Sequence, residues 1–317
     1  MNYSQQSHRN MINIIVEHHF SELTKKISRI KIGICNEVYR IALNDRNIII
    51  RLSATDKYLR GSEVHIQEFK KLDIKVPDIL ASDYTQTLVP LCYQIQNEIK
   101  GKDLGLVIES LNHTELLMLA HEIATIFRKV KTLPITTQFG VIWGGNNDVS
   151  DSWSERMKLW IQESIEHGRL TGIIGQQIEH SAIEVYHNYK PYFDSLKPTM
   201  YYGDICSKNV MIYKGRFNGL VDLDGLTQGD PLEALGRIKL SWYGTSHGEF
   251  YFNALINKLE LTDSEQQLIT VYALINQLSW MCENGILFNQ NTQPIVNWKK
   301  VEDDKNIFWH LASALRN

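Results

Sequence analysis

No Cys-x-x-Cys pair occurs in the 317 residues, and the four cysteines, Cys35, Cys92, Cys206 and Cys282, stand far apart. That spacing argues against a paired-cysteine zinc site and against a disulfide framework, so a reducing cytoplasm is the expected setting. Apolar runs of membrane-spanning length are also missing. The opening stretch MNYSQQSHRNMINIIVEHHF mixes polar residues and histidines with its apolar ones, which is neither a signal peptide nor a membrane span. Charge of one sign is lacking too: 33 Lys plus Arg face 36 Asp plus Glu, so no global field draws the chain to nucleic acid or to an anionic membrane. The absence of G-x-x-x-x-G-K-[ST] disfavours a P-loop NTPase, and HEIAT at 121–125 lacks the second histidine of a zinc hydrolase. What remains is an ordinary globular composition, 43% hydrophobic, on a chain long enough for two lobes.

The chain has two textures. From about residue 10 an amphipathic helix, MINIIVEHHFSELTKKI, leads into SRIKIG, NEVYRIAL and NIIIRLS, which read as strands of a small antiparallel sheet. RGSEVHIQEFKKL reads as a helix before Val76-Pro77, and PLCYQIQNEI as a further strand ending near Lys100-Gly101. Beyond it, HTELLMLAHEIATIFRKVKTL, SWSERMKLWIQESIEHGRL, QIEHSAIEVYHNYKPYF and SEQQLITVYALINQLSWMCEN all carry helical periodicity. PITTQFGVIWGGNNDVSDS reads as a long loop, and residues 200–225 as the one clear β interruption of the helical part. The expected division is a lobe over 1–97 and a larger lobe over 98–317, in the α+β class.

Within that interruption, YYGDICSKNVMIYKGRFNGLVDLDG gathers Asp204, Asn209, Asp222 and Asp224. VMIY and FNGLVDL read as strands, with Lys214-Gly215 as the tight turn between them. Folding about that turn places Asn209 nearly opposite Asp222, with Asp204 in the loop entering the hairpin. Carboxylates gathered in this way need a counter-charge. A hard divalent cation such as Mg²⁺, held by one or two carboxylates, an amide oxygen and substrate phosphates, supplies it. Asp224 is expected on the strand face away from Asp222, where a structural carboxylate is at least as good a reading as a second metal ligand.

The order Asp, four residues, Asn, hairpin, Asp resembles the catalytic loop and metal-binding Asp of the protein-kinase-like fold. Gly203-Asp204, then Asn209-Val-Met-Ile, Gly219-Leu-Val-Asp222 and Gly229-Asp230-Pro231, resemble the aminoglycoside phosphotransferase family, which also includes choline and homoserine kinases. KIGICNEVYRI is similar to the family's nucleotide loop and IIIRLS to its third strand. The resemblance implies a two-lobed kinase-like fold, with a small antiparallel-sheet lobe and a mostly helical lobe carrying the catalytic hairpin. It implies that Asp204 orients the acceptor hydroxyl and takes its proton, and that Asn209 and Asp222 hold Mg²⁺. Gly33 and Asn36 would shape the nucleotide loop. Arg51 would bind nucleotide phosphates, with Glu63 as its helical partner and Glu68 competing for that role. The hinge Gln96-Asn97-Glu98-Ile99 would meet the base of ATP or GTP. Asp230 would tie its loop to a neighbouring helix. Tyr202 stands where the family has histidine, so a packing role behind the catalytic loop is expected of its ring, and Lys208 is placed to add charge near the transferred group.

The implied activity is transfer of a nucleotide γ-phosphate to a hydroxyl of a small molecule. An aminoglycoside-like antibiotic is the family-weighted acceptor; choline, an amino alcohol or a sugar stays open. Trp242, Tyr243, Tyr251, Tyr272, Trp280 and Glu283 are candidates for the acceptor pocket, against a reading of them as core. A protein kinase is disfavoured, because the stretch from Asp222 to Gly229 is too short for a peptide-presenting segment and Ala-Pro-Glu is missing. A nucleotide-binding protein without catalysis is the non-enzyme alternative. Expected partners are a nucleoside triphosphate and the acceptor, without nucleic acid or membrane, on a monomer or homodimer.

Overall fold

The structure, a computed structural model, describes residues 4–142 and 148–316. Helix α1 (Gln5–Phe20) starts where the Ser4 hydroxyl accepts the Ser7 amide at 3.1 Å, and its stripe of Met11, Ile12, Ile15 and Val16 is buried. These side chains share a core with Tyr39, Ile41, Ile48, Ile50 and Ile95. The latter come from a sheet built of β1 (Lys26–Ile30), β2 (Glu37–Ala42), β3 (Asn47–Ser53), β4 (Ile79–Asp83) and β5 (Cys92–Asn97), ordered β1-β2-β3-β5-β4 and antiparallel throughout. Between β3 and β4 runs α2 (Lys57–Lys71). Its Ile66 and Phe69 turn away from this sheet into the larger core of the rest of the chain.

That larger part begins with β6 (Lys102–Asp103), α3 (Leu104–Val107) and α4 (His113–Val130), the last opened by a capping box between Asn112 and Glu115. Then follow β7 (Phe139–Val141), β8 (Asp148–Ser150), α5 (Trp153–Leu170), α6 (Gln176–Ser195), β9 (Thr199–Tyr202), β10 (Val210–Tyr213), β11 (Arg216–Leu220) and β12 (Leu226–Gly229). The chain closes with α7 (Leu232–Ser241), α8 (Ser246–Leu259), α9 (Asp263–Cys282) and α10 (Trp298–Ala314). Helix α9 is the central post: its residues from Ile269 to Leu278 are buried all round. Gly236 of α7 lets that helix close on it, since a β-carbon there would lie 2.7 Å from Tyr272 Cβ.

Two sequence expectations change. The first helix ends at Phe20 rather than running on to Ile27, where β1 has already begun at Lys26. The stretch 134–152 is not simply a loop: β7 and β8 lie in it and extend a sheet in the order β8-β7-β12-β9, while residues 143–147 lie outside those described. Residues 200–225 are therefore not the only β interruption. The pattern was hidden because these short strands are held by tertiary partners, among them Gln228, whose side chain accepts from the Thr136 amide (2.6 Å) and donates to its hydroxyl (3.0 Å). Asp230 ties elements together as expected, accepting from Tyr192 of α6 (2.6 Å), Tyr272 of α9 (2.7 Å) and the Leu232 amide (3.0 Å). The four cysteines are free thiols. Among the described residues no helix is long and apolar enough to cross a membrane.

Candidate active site

Strands β10 and β11 form the expected hairpin. Lys214 (φ 51°) and Gly215 (φ 73°) turn it, the paired positive φ values of a type I′ turn. Val210 pairs with Leu220, so Asn209 faces Val221, whose amide donates to the Asn209 carbonyl at 3.0 Å. Asp222 is the next residue, one step past the position facing Asn209. In the loop before the hairpin, Asn209 Nδ2 donates to both the carbonyl (2.8 Å) and the carboxylate Oδ2 (2.7 Å) of Asp204. Lys208 Nζ stands 3.4 Å from the same oxygen, and Asp204 raises the ammonium's pKa above the usual lysine range. Asp204 keeps 23% of its side chain open to solvent, enough to meet a substrate.

Past Leu220 the chain leaves the ladder. The opposite-face expectation for Asp222 and Asp224 is corrected here: residues two apart in a strand share a face, and the chain has in any case left the ladder at Asp222, which adopts a left-handed φ of 59°. The two carboxylates converge instead of lying on opposite faces. Arg51 Nη2 donates to Asp222 Oδ1 at 2.7 Å and to Asp224 Oδ2 at 3.2 Å, and its Nη1 donates to Ser62 Oγ at 3.0 Å. Burial and the nearby Asp222 charge push the Asp224 carboxyl upward, against the pull of Arg51. The partner expected for Arg51 is corrected here. Glu63 accepts from Tyr84 (2.8 Å) and Ser82 (3.4 Å), and Glu68 pairs with Lys71. A helix turns about 100° per residue, and it is Ser62 of α2 that faces Arg51.

Tyr202 does more than fill space. Its ring packs edge-on to Phe69 with centroids 5.5 Å apart, and its hydroxyl donates to the carbonyls of Asp222 (2.8 Å) and Val221 (3.1 Å). The residue is 2% exposed. Together with His65, whose Nδ1 lies 2.8 Å from the Leu223 carbonyl, it holds the backbone that presents Asp222. Tyr202→Phe is therefore expected to keep the fold but lose about 1–2 kcal/mol in chemical denaturation, because buried carbonyls lose a donor. Tyr202→His, which retains a ring donor, is expected to fall between the two.

A cleft of about 470 Å³ opens between the sheet and the hairpin. Of the residues expected there, Gly33, Arg51, Gln96, Glu98, Ile99, Asn209 and Asp222 line it, as do Asn97 and Lys208. Ile30, Val38, Ile49, Met211 and Val221 supply apolar walls, suited to a flat aromatic base. Glu98 is held by Arg40 and by Asn47 Nδ2 (2.9 Å). Asn36 is buried at the end of the loop that carries Gly33, its carbonyl accepting from Asn289 at 3.3 Å.

A second cavity, about 360 Å³, is bordered by Tyr58, Arg156, Trp160, Arg237, Trp280 and Glu283. Arg237 Nε donates to Glu233 at 2.6 Å, its guanidinium lies 5.3 Å above the Trp160 ring, and Glu233 itself accepts from Tyr201, three residues before Asp204, at 3.0 Å. Of the aromatics singled out in the sequence, only Trp280 reaches this cavity, alongside Glu283. Trp242, Tyr251 and Tyr272 are core, and Tyr243 lines a separate groove beside Trp242. Trp160, Arg237 and Ser62 were missed because their side chains meet the site only through helix packing; no local motif marks them.

Comparison with known proteins agrees with this arrangement. In solved structures the chain is similar to aminoglycoside phosphotransferase APH(4)-Ia, as a thermostable mutant in apo form, with a TM-score of 0.74 and 14% identity over 95% of this chain and 98% of that one. It is similar to the GDP complex of aminoglycoside 2'-phosphotransferase-IIIa, with a TM-score of 0.72 and 11% identity, covering 98% of this chain and 99% of the other. It is also similar to a putative fructosamine-3-kinase from Thermobifida fusca, with a TM-score of 0.63 and 12% identity over 95% and 99% of the two chains. At such identities the likeness establishes a shared protein-kinase-like fold. No curated protein matches the chain by sequence. The profile of the phosphotransferase enzyme family matches residues 26–263, most of the chain, and the chain belongs to that family.

Proposed function

We propose that this protein transfers the γ-phosphate of ATP or GTP to a hydroxyl group of a small molecule. The observation that carries the reading is the meeting of Arg51, Asn209 and Asp222 at the wall of a base-sized cleft, with Asp204 bonded to Asn209 just beyond them. A nucleotide with its base against Ile49, Ile99 and Met211 lays its phosphates toward Arg51 and Asp222. Asp204 then orients the acceptor hydroxyl and takes its proton as the phosphoryl group moves, and Lys208 offsets charge on that group. The division at residues 97 and 98 is part of the same reading: the sheet side holds the base and the helical side holds the acceptor.

Mg²⁺ suits the residues present. The donors are hard oxygens, and burial together with the neighbouring Asp222 charge pushes the Asp224 carboxyl upward despite Arg51. Among the described residues no three His, Cys, Asp or Glu side chains form a metal cage by themselves. Mg²⁺ takes one or two protein carboxylates and completes its shell with phosphate oxygens and water. Asn209 and Asp222 would hold it, and its charge would stabilise the phosphate oxygens as negative charge shifts between them.

We read the second cavity, beside Trp160, Trp280 and Glu283, as the acceptor's place, since the charges of Asp204 and Lys208 reach Arg237 and Glu283 there. APH(4)-Ia has been solved with AMP-PNP and hygromycin B, and an aminoglycoside-like acceptor is the first reading for this chain. The presence of Arg156 and Arg237 beside the carboxylates favours a second one, a neutral sugar or polyol, because two guanidinium groups reduce the attraction for a polycation. A panel of aminoglycosides, choline, amino alcohols and sugars, assayed for acceptor-dependent consumption of ATP and GTP with Mg²⁺, tests this. The expected result is consumption stimulated by one acceptor class; no stimulation by any hydroxyl compound, with nucleotide bound, would favour a non-catalytic nucleotide binder.

A further inference from the structure

The segment joining α9 to α10 forms a closed loop. Asn284 Oδ1 accepts from the Asn297 amide at 2.8 Å, which pins its two ends. Inside it, the Thr292 hydroxyl oxygen accepts from the amides of Phe288 (2.7 Å) and Asn289 (3.3 Å), and Asn289 Oδ1 accepts from the Asn291 amide (2.7 Å). A loop braced in this way presents its tip in one geometry.

That tip reaches the sheet more than 250 residues back along the chain. Asn291 Nδ2 donates to the Gly33 carbonyl at 2.8 Å, and Asn289 Nδ2 lies 3.4 Å from the same oxygen and 3.3 Å from the Asn36 carbonyl. The Gln290 amide donates to Glu37 Oε1 at 3.1 Å, while Glu37 Oε2 is paired with Arg29 at 2.9 Å. Gly33, at φ 92°, lines the base-sized cleft. The connection between β1 and β2 would otherwise be a glycine-hinged loop tethered only at its ends. Here it is tied at both its glycine and its far end to a rigid loop of the helical part.

We propose that Asn289 and Asn291 are positioning residues that clasp the β1–β2 loop over the bound nucleotide. Resting on the reading of that cleft as the nucleotide site, the clasp has a definite chemical consequence. In a trans peptide the N–H of Ile34 points opposite to the carbonyl of Gly33. With the Gly33 carbonyl held by Asn291 at 2.8 Å, the clasp would present the Ile34 N–H, on the opposite side of that peptide, to a bound phosphate, since backbone N–H groups favour anions. Release of nucleotide then requires the clasp to open.

The full chain carrying Asn289→Ala and Asn291→Ala together tests this, with displacement of a methylanthraniloyl-labelled ADP or GDP by excess unlabelled nucleotide followed in real time. Release is expected to be roughly tenfold faster than from the parent, in keeping with the loss of a few part-buried neutral hydrogen bonds. A folded double variant, verified by circular dichroism, that releases label at the parent rate would overturn the clasp. Hydrogen exchange on the unmodified protein provides a test independent of the variant's folding. Nucleotide should slow exchange in 31–37 and in 286–292 together, and protection confined to 31–37 would count against the proposal. Failure of the parent to bind labelled nucleotide at all would instead remove the nucleotide reading and the clasp with it.

Discussion

Asp204→Asn is expected to lower turnover by roughly 10²- to 10⁴-fold while leaving the fold intact. The carboxylate is held from three directions: Asn209 Nδ2 donates to Oδ2 at 2.7 Å, Cys206 Sγ lies 3.3 Å from Oδ1, and Lys208 Nζ is 3.4 Å from Oδ2. An asparagine of the same shape can keep its oxygen toward Asn209, so the loop retains its main bond. What it loses is the ability to take a proton from an alcohol, and it leaves Lys208 without its nearest negative charge. Steady-state kinetics on a verified acceptor, paired with a denaturation curve, separates these effects. Parent-like turnover in the variant would remove Asp204 from the chemistry.

Asp222→Asn is expected to remove Mg²⁺-dependent nucleotide binding and to lower transfer on the order of 10³-fold. Asparagine is the informative replacement because Asp222 sits at φ 59°, a conformation asparagine tolerates and alanine does not readily adopt. The backbone therefore stays in place, still held by the Tyr202 hydroxyl at 2.8 Å. Stability should change little, because Arg51 keeps Asp224 and Ser62 and the repulsion between neighbouring carboxylates is relieved. Calorimetry with ATP, in the presence and absence of Mg²⁺, gives the readout. If the variant binds Mg·ATP as tightly as the parent, Asp222 is not a ligand of the cation.

A corollary concerns Arg51. At 4% side-chain exposure it is committed to Asp222, Asp224 and Ser62 in this structure, so in the proposed complex phosphates would share a guanidinium that already has partners. One guanidinium offsets only part of the charge of two carboxylates, and a cation held at Asp222 would free part of Arg51 for phosphate.

The parts legible in the sequence share a physical property: they are local. Period-two runs marked β1, β2 and β3, helical periodicity marked α4, α5, α6 and α9, and Lys214-Gly215 marked a turn needing positive φ. The spacing of Asp204, Asn209 and Asp222 could be read because a hairpin folds a short stretch onto itself. Two readings failed. Asp222 and Asp224 were expected on opposite faces, although residues two apart share a strand face and both reach Arg51, and Glu63 was one residue out of phase with Ser62 on α2.

By itself, then, the sequence determined the first three strands, the long helices α4, α5, α6 and α9, and the hairpin with its Asp and Asn side chains, since each depends on residues within a few positions of one another. Only the tertiary structure decided which groups meet across long separations: Arg51 with Asp222, Tyr202 with the carbonyl of Asp222, Arg237 with Trp160, and Asn291 with Gly33. Those meetings depend on how helices and sheet pack, and packing is set by shape and burial summed over the whole chain, which no local pattern of residue types encodes.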